Sequence, residues 1–171
     1  MYQIGDVVAY GGEGLCRVTA VGTPDISGIS GEKSYYTLTP LYRDGTIFIP
    51  VDTSVFMRPA MSRAEAEELI RSLPQVEADF QAGGNLRLIT EYYQSLMRSH
   101  DTLSIARLIK TIYQHQQQVR LRGGKPSQID ERYMKRAEEL LYGELAYALG
   151  IPRDQVCDHI IRTIEHSDAE L

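Results

Sequence analysis

Cationic side chains cluster in one central block of this sequence, and cations clustered in this way can contact phosphate groups. Residues 86–136 contain ten Lys and Arg against four Asp and Glu, although the whole chain carries a formal net charge of −5. The stretch VRLRGGKPS places Arg120, Arg122 and Lys125 at a helix end and in a loop. An ordinary solvated surface, balanced by acidic residues elsewhere in the chain, explains the same residues equally well.

The helices predicted around this stretch carry further cations. On the following helix, Arg132, Lys135 and Arg136 share one face because they are spaced i, i+3 and i+4. The two preceding helices add Arg87, Arg98, Arg107 and Lys110. Short connections between helices can bring such residues to one surface, so the pattern indicates a candidate phosphate-contacting surface.

No residue pattern of a known enzyme class is present: the chain has no GxSxG, no GxxxxGK[ST] and no HExxH. The four histidines have spacings that do not converge, and we expect them on the surface or at helix ends: His100, His115, His159 and His166. Cys16 and Cys157 lie far apart and lack the spacing of a zinc site. We therefore predict a non-enzymatic protein without cofactor, metal or disulfide.

Location in a reducing cytoplasm is expected from the same residues, since disulfides are not indicated. No stretch approaches the ~20 apolar residues of a membrane span. The N-terminus lacks the basic flank and apolar core of a secretory signal.

Nearly all strand-like sequence lies in residues 1–60. The opening MYQIGDVVAYGGEGLCRV predicts two strands joined by a glycine-rich hairpin. SYYTLTPLY, TIFIPV and SVFMRP predict further strands, which suggests a small curved sheet or open barrel. Pro50 has no amide proton and is expected either on an edge strand or simply at a strand end. An apolar edge could accept a strand from another protein.

From Ser62 the apolar period changes from 2 to 3.6, which predicts helices. Ser62 and Glu65 form a capping-box pattern that opens the first of them. Further helices are predicted over 85–99, from Asp101 to Gly123-Gly124, from Ser127 to Leu149, and after Pro152, which we place at a first helical position. The sequence thus predicts an α+β chain, with a β domain over 1–60 and an all-α domain of about five helices over 61–171.

The order of several motifs resembles the CarD/CdnL family of bacterial transcription regulators. YQIGDVVAYGGEGLCRV, YYTLTPLYRDGTIFIPV and VFMRP are similar to the start of that family, and to the RNA-polymerase-interacting region of transcription-repair coupling factor. SIARLIKTIYQ and DERYMKRAEELLYGELA resemble the two central helices of the family's C-terminal domain. One departure is Gly11, since the family usually has Tyr-Pro where this chain has Tyr10-Gly11.

The resemblance implies two functional domains. Residues 1–60 would form a Tudor/SH3-like domain that binds the RNA polymerase β subunit, with Leu38, Phe48 and Pro50 as docking candidates. Residues 61–171 would contact promoter DNA, without sequence specificity, near the upstream edge of the transcription bubble and stabilise the open complex. We expect a cytoplasmic, nucleoid-associated protein that acts as a monomer.

A second departure concerns the tryptophan that the family wedges against the DNA minor groove, because this chain contains no tryptophan. Leu86 falls at about that position, and Phe80 is a second candidate. Leu86 is also in phase with Ile89 and Tyr93, so a core position is the alternative. The DNA-contacting candidates are Leu86, Arg87, Arg120, Arg122, Lys125, Arg132, Lys135 and Arg136.

Two other functions remain open from the sequence. A polymerase-tethered adaptor would use its helical domain to bind a protein and not DNA. A free-standing DNA-binding protein would use the cationic block alone, with an affinity for DNA that depends on salt but not on polymerase.

Overall fold

The computed structural model describes residues 1–28, 31–78 and 85–169. The chain divides into two compact units, Met1–Ala60 and Met61–Leu171, called here the β unit and the helical unit. Within the described residues, five strands form an antiparallel open sheet in the β unit, and five α-helices follow in the helical unit. The α+β class and the order of the elements, predicted from the sequence, are confirmed.

The sheet of the β unit has the strand order β4-β3-β2-β1-β5, so β4 and β5 form its two edges. The strands are β1 (Val7–Tyr10), β2 (Gly14–Gly22), β3 (Tyr35–Pro40), β4 (Ile47–Pro50) and β5 (Met57–Pro59). All neighbouring strands pair antiparallel. A register shift in β2 between Val18 and Ala20 adds local twist to the sheet.

The glycine-rich turn between β1 and β2 folds against the segment that leads into β5. Its Gly11 has a φ of +45°, and the Gly11 amide donates to the carbonyl of Phe56 over 2.8 Å. A Cβ at position 11 would lie 3.2 Å from Cγ1 of Val55, closer than most side-chain contacts. Glycine therefore meets two requirements here, a left-handed backbone and a close approach, and proline could meet neither.

The core of the β unit is formed by side chains on one face of the sheet, as strand alternation requires. Its buried members are Val8, Cys16, Val18, Tyr36, Leu38 and Ile49. Burial, with a smaller contribution from Glu13, raises the pKa of the Cys16 thiol to about 11. Cys16 therefore acts as a small apolar residue, while the other free cysteine, Cys157, is exposed.

Local capping chemistry sets the ends of several helices. The helices are α1 (Arg63–Ser72), α2 (Leu86–Arg98), α3 (Thr102–Leu121), α4 (Gln128–Leu149) and α5 (Val156–Ala169). Ser62 and Glu65 make both hydrogen bonds of the predicted capping box. Gly150 ends α4 in a left-handed conformation, with φ +68°. The placement of Pro152 inside the last helix is wrong: Pro152 precedes a 3-10 turn (Arg153–Gln155), and α5 begins after that turn.

All five helices contribute to the core of the helical unit. The largest fully buried side chains there are Ile70, Leu108, Ile112, Leu145 and Val156, which come from α1, α3, α4 and α5. Among the described residues, no three His, Cys, Asp or Glu side chains form a group able to hold a metal ion. None of the helices described is long and apolar enough to cross a membrane.

Candidate functional site

Strand β4 presents an open edge of the sheet. It pairs with β3 on one side, with Phe48 opposite Thr37 and Pro50 opposite Tyr35. Within the part of the chain that the structure describes, no strand pairs with its other side. An open edge leaves backbone N–H and C=O groups available to a further strand.

Alternation along β4 separates its side chains into two faces. Ile49 is buried in the core, and Ile47 packs against it. Phe48 and Pro50 lie on the opposite face, where Phe48 is 38% exposed. We call Phe48, Pro50 and the open backbone of β4 the β4 surface. Pro50 is also the last residue of this edge strand, so both explanations considered for it apply.

Leu38 belongs to the other face of the sheet. It is fully buried and pairs with Val18 on β2 and with Ile47 on β4. Its side chain is therefore out of reach of a partner in this structure. Any contribution of Leu38 to docking would come from holding β3, and through it β4, in place.

The first turn of α2 is exposed. Asn85 caps the helix by accepting a hydrogen bond from the amide of Leu88 over 2.9 Å. Leu86 is 57% exposed and Leu88 56% exposed. The alternative that Leu86 is a core residue is therefore wrong. The helix begins at Leu86, and its apolar face packs into the core only in later turns, where Tyr93 is buried. The other candidate, Phe80, lies outside the described residues.

Arg87 follows Leu86 on this exposed turn. Its guanidinium lies 3.2 Å from a carboxylate oxygen of Glu91, one turn further along α2. Both side chains are largely exposed, so this ion pair adds little to stability and can open when a phosphate competes.

Most of the predicted cations surround the connection between α3 and α4. Five of them are exposed and are called here the basic end: Arg120, Arg122, Lys125, Arg132 and Lys135. Arg136 is half-buried, and its guanidinium lies 3.5 Å from a carboxylate oxygen of Glu139.

Lys110 has a different environment, although the sequence placed it among the same cations. Its ammonium donates to the carbonyls of Leu73 and Val76, the latter over 2.8 Å. Burial lowers the pKa of Lys110. This side chain holds the 3-10 turn that follows α1 (Leu73–Gln75) against α3.

A buried polar cluster, which sequence reasoning missed, connects three helices of the same unit. Asp130 on α4 is fully buried, and its Oδ1 accepts a hydrogen bond from the Tyr93 hydroxyl on α2 over 2.8 Å. Its Oδ2 lies 2.5 Å from Nδ1 of His115 on α3. Burial and the bond to Asp130 raise the pKa of Tyr93, so its hydroxyl stays protonated as a donor. We call these three residues the Asp130 cluster.

His115 was expected at the surface or at a helix end, and that expectation is wrong. Its side chain is only 24% exposed and lies in the middle of α3. The partners of Asp130 are 15 and 37 residues away in sequence, so no local motif could have identified them.

The candidate phosphate-contacting residues lie near the Asp130 cluster along their helices. Arg87 precedes Tyr93 by six residues, about 9 Å of helix, and Arg120 follows His115 by five, about 8 Å. Arg132 follows Asp130 by only two residues. Hydrogen bonding thus brings together three helices, each of which carries candidate cations within about two turns of the cluster.

Comparison with known proteins places the β unit in a family. Residues 2–61 match the family described as the CarD-like/TRCF RID domain. No curated protein matches the chain. The family resemblance predicted for the N-terminal residues is thus confirmed, and residues 2–61 form an RNA-polymerase-interacting domain, a type that acts by binding. The match ends where the helical unit begins.

Proposed function

With residues 2–61 as an RNA-polymerase-interacting domain, we propose that this protein binds the RNA polymerase β subunit through the β4 surface and stabilises the promoter open complex through its helical unit. The family match of the β unit is the observation that carries this proposal. The helical unit would contact promoter DNA near the upstream edge of the bubble, without reading its sequence.

Strand addition is the binding mode that the β4 surface supports. An extended segment of the polymerase would pair with the open backbone of β4, and the side chains of Phe48 and Pro50 would make the apolar contacts beside it. Main-chain hydrogen bonds supply affinity in this mode, while alternate side chains select the partner. Pro50 marks the end of the pairing segment because it has no amide proton to donate.

Exposed cations support the proposed DNA contact. The basic end carries five exposed Lys and Arg side chains, and the chain's acidic residues are concentrated in other segments. Each cation that meets a phosphate releases condensed counterions, which favours binding at low salt. Exposed Leu86 could lie against a base step at the edge of the bubble, where apolar side chains bend or unstack DNA.

Capture of RNA polymerase by the full-length chain tests the proposal. We expect the chain to retain polymerase, to cross-link to its β subunit, and to lengthen the lifetime of the promoter open complex. Polymerase binding without DNA contact or a change in lifetime would identify the adaptor alternative. Affinity for DNA without any affinity for polymerase would identify a free-standing DNA-binding protein and overturn the proposal.

Replacing Leu86 with alanine is expected to shorten the open-complex lifetime without changing the salt dependence of DNA binding, since no cation is lost. The melting temperature should change by less than about 2 °C, as for most exposed substitutions. Leu88→Ala is the matched control, because Leu88 is equally exposed and points away from Leu86 around the helix. A wedge at Leu86 is excluded if Leu86→Ala melts several degrees lower, or if both variants shorten the lifetime equally.

A further inference from the structure

We infer that Asp130, hydrogen-bonded to Tyr93 and His115, is a positioning residue. It holds the cations of three helices in one fixed arrangement for contact with DNA phosphates. The inference rests on the proposed DNA contact. Its physical basis is the Asp130 cluster itself, which no part of the family match covers.

A fully buried carboxylate contributes little net stability. Removing the carboxylate from water costs free energy, and its hydrogen bonds to Tyr93 and His115 offset only part of that cost. Apolar residues of similar volume often replace such buried groups without loss of stability. Its two oxygens, however, bond to side chains on two different helices. Sliding or rotating α2 or α3 against α4 would break one of these bonds and leave a buried polar group without its partner. Asp130 therefore specifies one register of the three helices.

Neighbouring contacts fix the cluster itself. The Tyr93 ring packs edge-on against Tyr133 of α4, with ring centroids 5.5 Å apart. The Asp130 amide donates to the Ser127 hydroxyl over 3.1 Å, which caps the first turn of α4. Neither the tyrosine ring nor the carboxylate can reorient without disturbing α4.

A fixed register matters for the cations nearby. Arg87, Arg120 and Arg132 lie on α2, α3 and α4, each within about two turns of the cluster. If these helices are already in register, phosphate binding does not have to order them. The affinity for DNA is then higher, because binding does not include the free-energy cost of ordering the helices. Loss of the register should weaken binding while the number of cations, and hence the salt dependence, stays the same.

Tyr93→Phe tests this inference because it removes one hydroxyl and keeps the ring. We expect the affinity of the full-length chain for duplex DNA at fixed salt to fall about fivefold, the size of one lost hydrogen bond, with an unchanged salt slope. Tyr133→Phe is the matched control, and its affinity should stay at the wild-type level. Asp130→Asn can still bond to both partners and should retain more affinity than Asp130→Leu.

Ile70→Val separates positioning from stability. Ile70 is buried on α1, a helix that carries none of the three residues of the cluster, and the loss of one methyl group destabilises a protein about as much as the loss of one hydrogen bond. Equal weakening in Ile70→Val and Tyr93→Phe would assign the effect to stability and overturn the inference, as would equal affinities of Tyr93→Phe and Tyr133→Phe. Absence of DNA binding by the wild type would instead overturn the proposed DNA contact and this inference together.

Discussion

Replacing Phe48 with alanine is expected to weaken binding to RNA polymerase by about tenfold or more, while the β unit stays folded. Phe48 is a large aromatic side chain on the outer face of an edge strand, and aromatic residues of this kind dominate the energetics of many interfaces. Because its ring is outside the core, its loss leaves no internal cavity. Pro50→Ala should weaken binding less, since fewer apolar atoms are removed.

The matched control is Phe56→Ala. Phe56 is 41% exposed, close to the value for Phe48, but it lies beside β5 at the opposite edge of the sheet. Affinities from titration calorimetry and melting curves of the isolated variants measure the two effects separately. If Phe56→Ala weakens polymerase binding and Phe48→Ala does not, the docking edge is β5. The proposal that the β4 surface binds polymerase would also be refuted if one of Phe48→Ala and Pro50→Ala unfolds the β unit while the other leaves polymerase binding unchanged.

Neutralising Arg120 and Arg132 together is expected to reduce the salt slope of DNA binding by about two units of log K per log salt, one for each lost phosphate contact. The two residues come from α3 and α4 and are both exposed at the basic end. Affinity should fall by the same factor on unrelated DNA sequences, because phosphate contacts position a protein without reading bases. Fluorescence anisotropy across a range of salt concentrations measures both quantities.

Arg162→Gln serves as the control for this pair. Arg162 is exposed on α5, which starts beyond the C-terminal end of α4 and so lies far along the chain from the basic end. Its neutralisation removes one positive charge, as does each of the two substitutions in the pair. The salt slope of DNA binding should nevertheless stay within about 0.3 units of the wild-type slope. An equal loss of slope in Arg162→Gln would show that overall charge, and not the basic end, governs DNA affinity.

The sequence by itself determined most of the elements and the family of the β unit, because the signals for both are local. Ser62 and Glu65 lie three residues apart, so both residues of the capping box fall within one helical turn and can be identified from the local sequence. Gly150 ends α4 because glycine adopts a left-handed backbone without strain. The motifs of residues 2–61 were recognisable for the same reason, as each is a short contiguous stretch.

Only the tertiary structure decided which side chains face outward. Leu38 and Phe48 both lie in strands that sequence reasoning identified, yet Leu38 is buried and Phe48 exposed, because the pleat and the strand order assign them to opposite faces. Leu86 follows the apolar period of α2 but lies on a first turn that the core does not reach.

The Asp130 cluster depended on tertiary structure entirely. Tyr93, His115 and Asp130 meet only when α2, α3 and α4 pack, and their separations of 15 and 37 residues match no helical or strand period. Asp130 occupies the third position of α4, where sequence alone indicates only a capping residue that favours the helix N-terminus. Local capping residues determine where α4 begins. The hydrogen-bond partners of its buried carboxylate, Asp130, are determined by the packing of helices whose residues are distant in the chain.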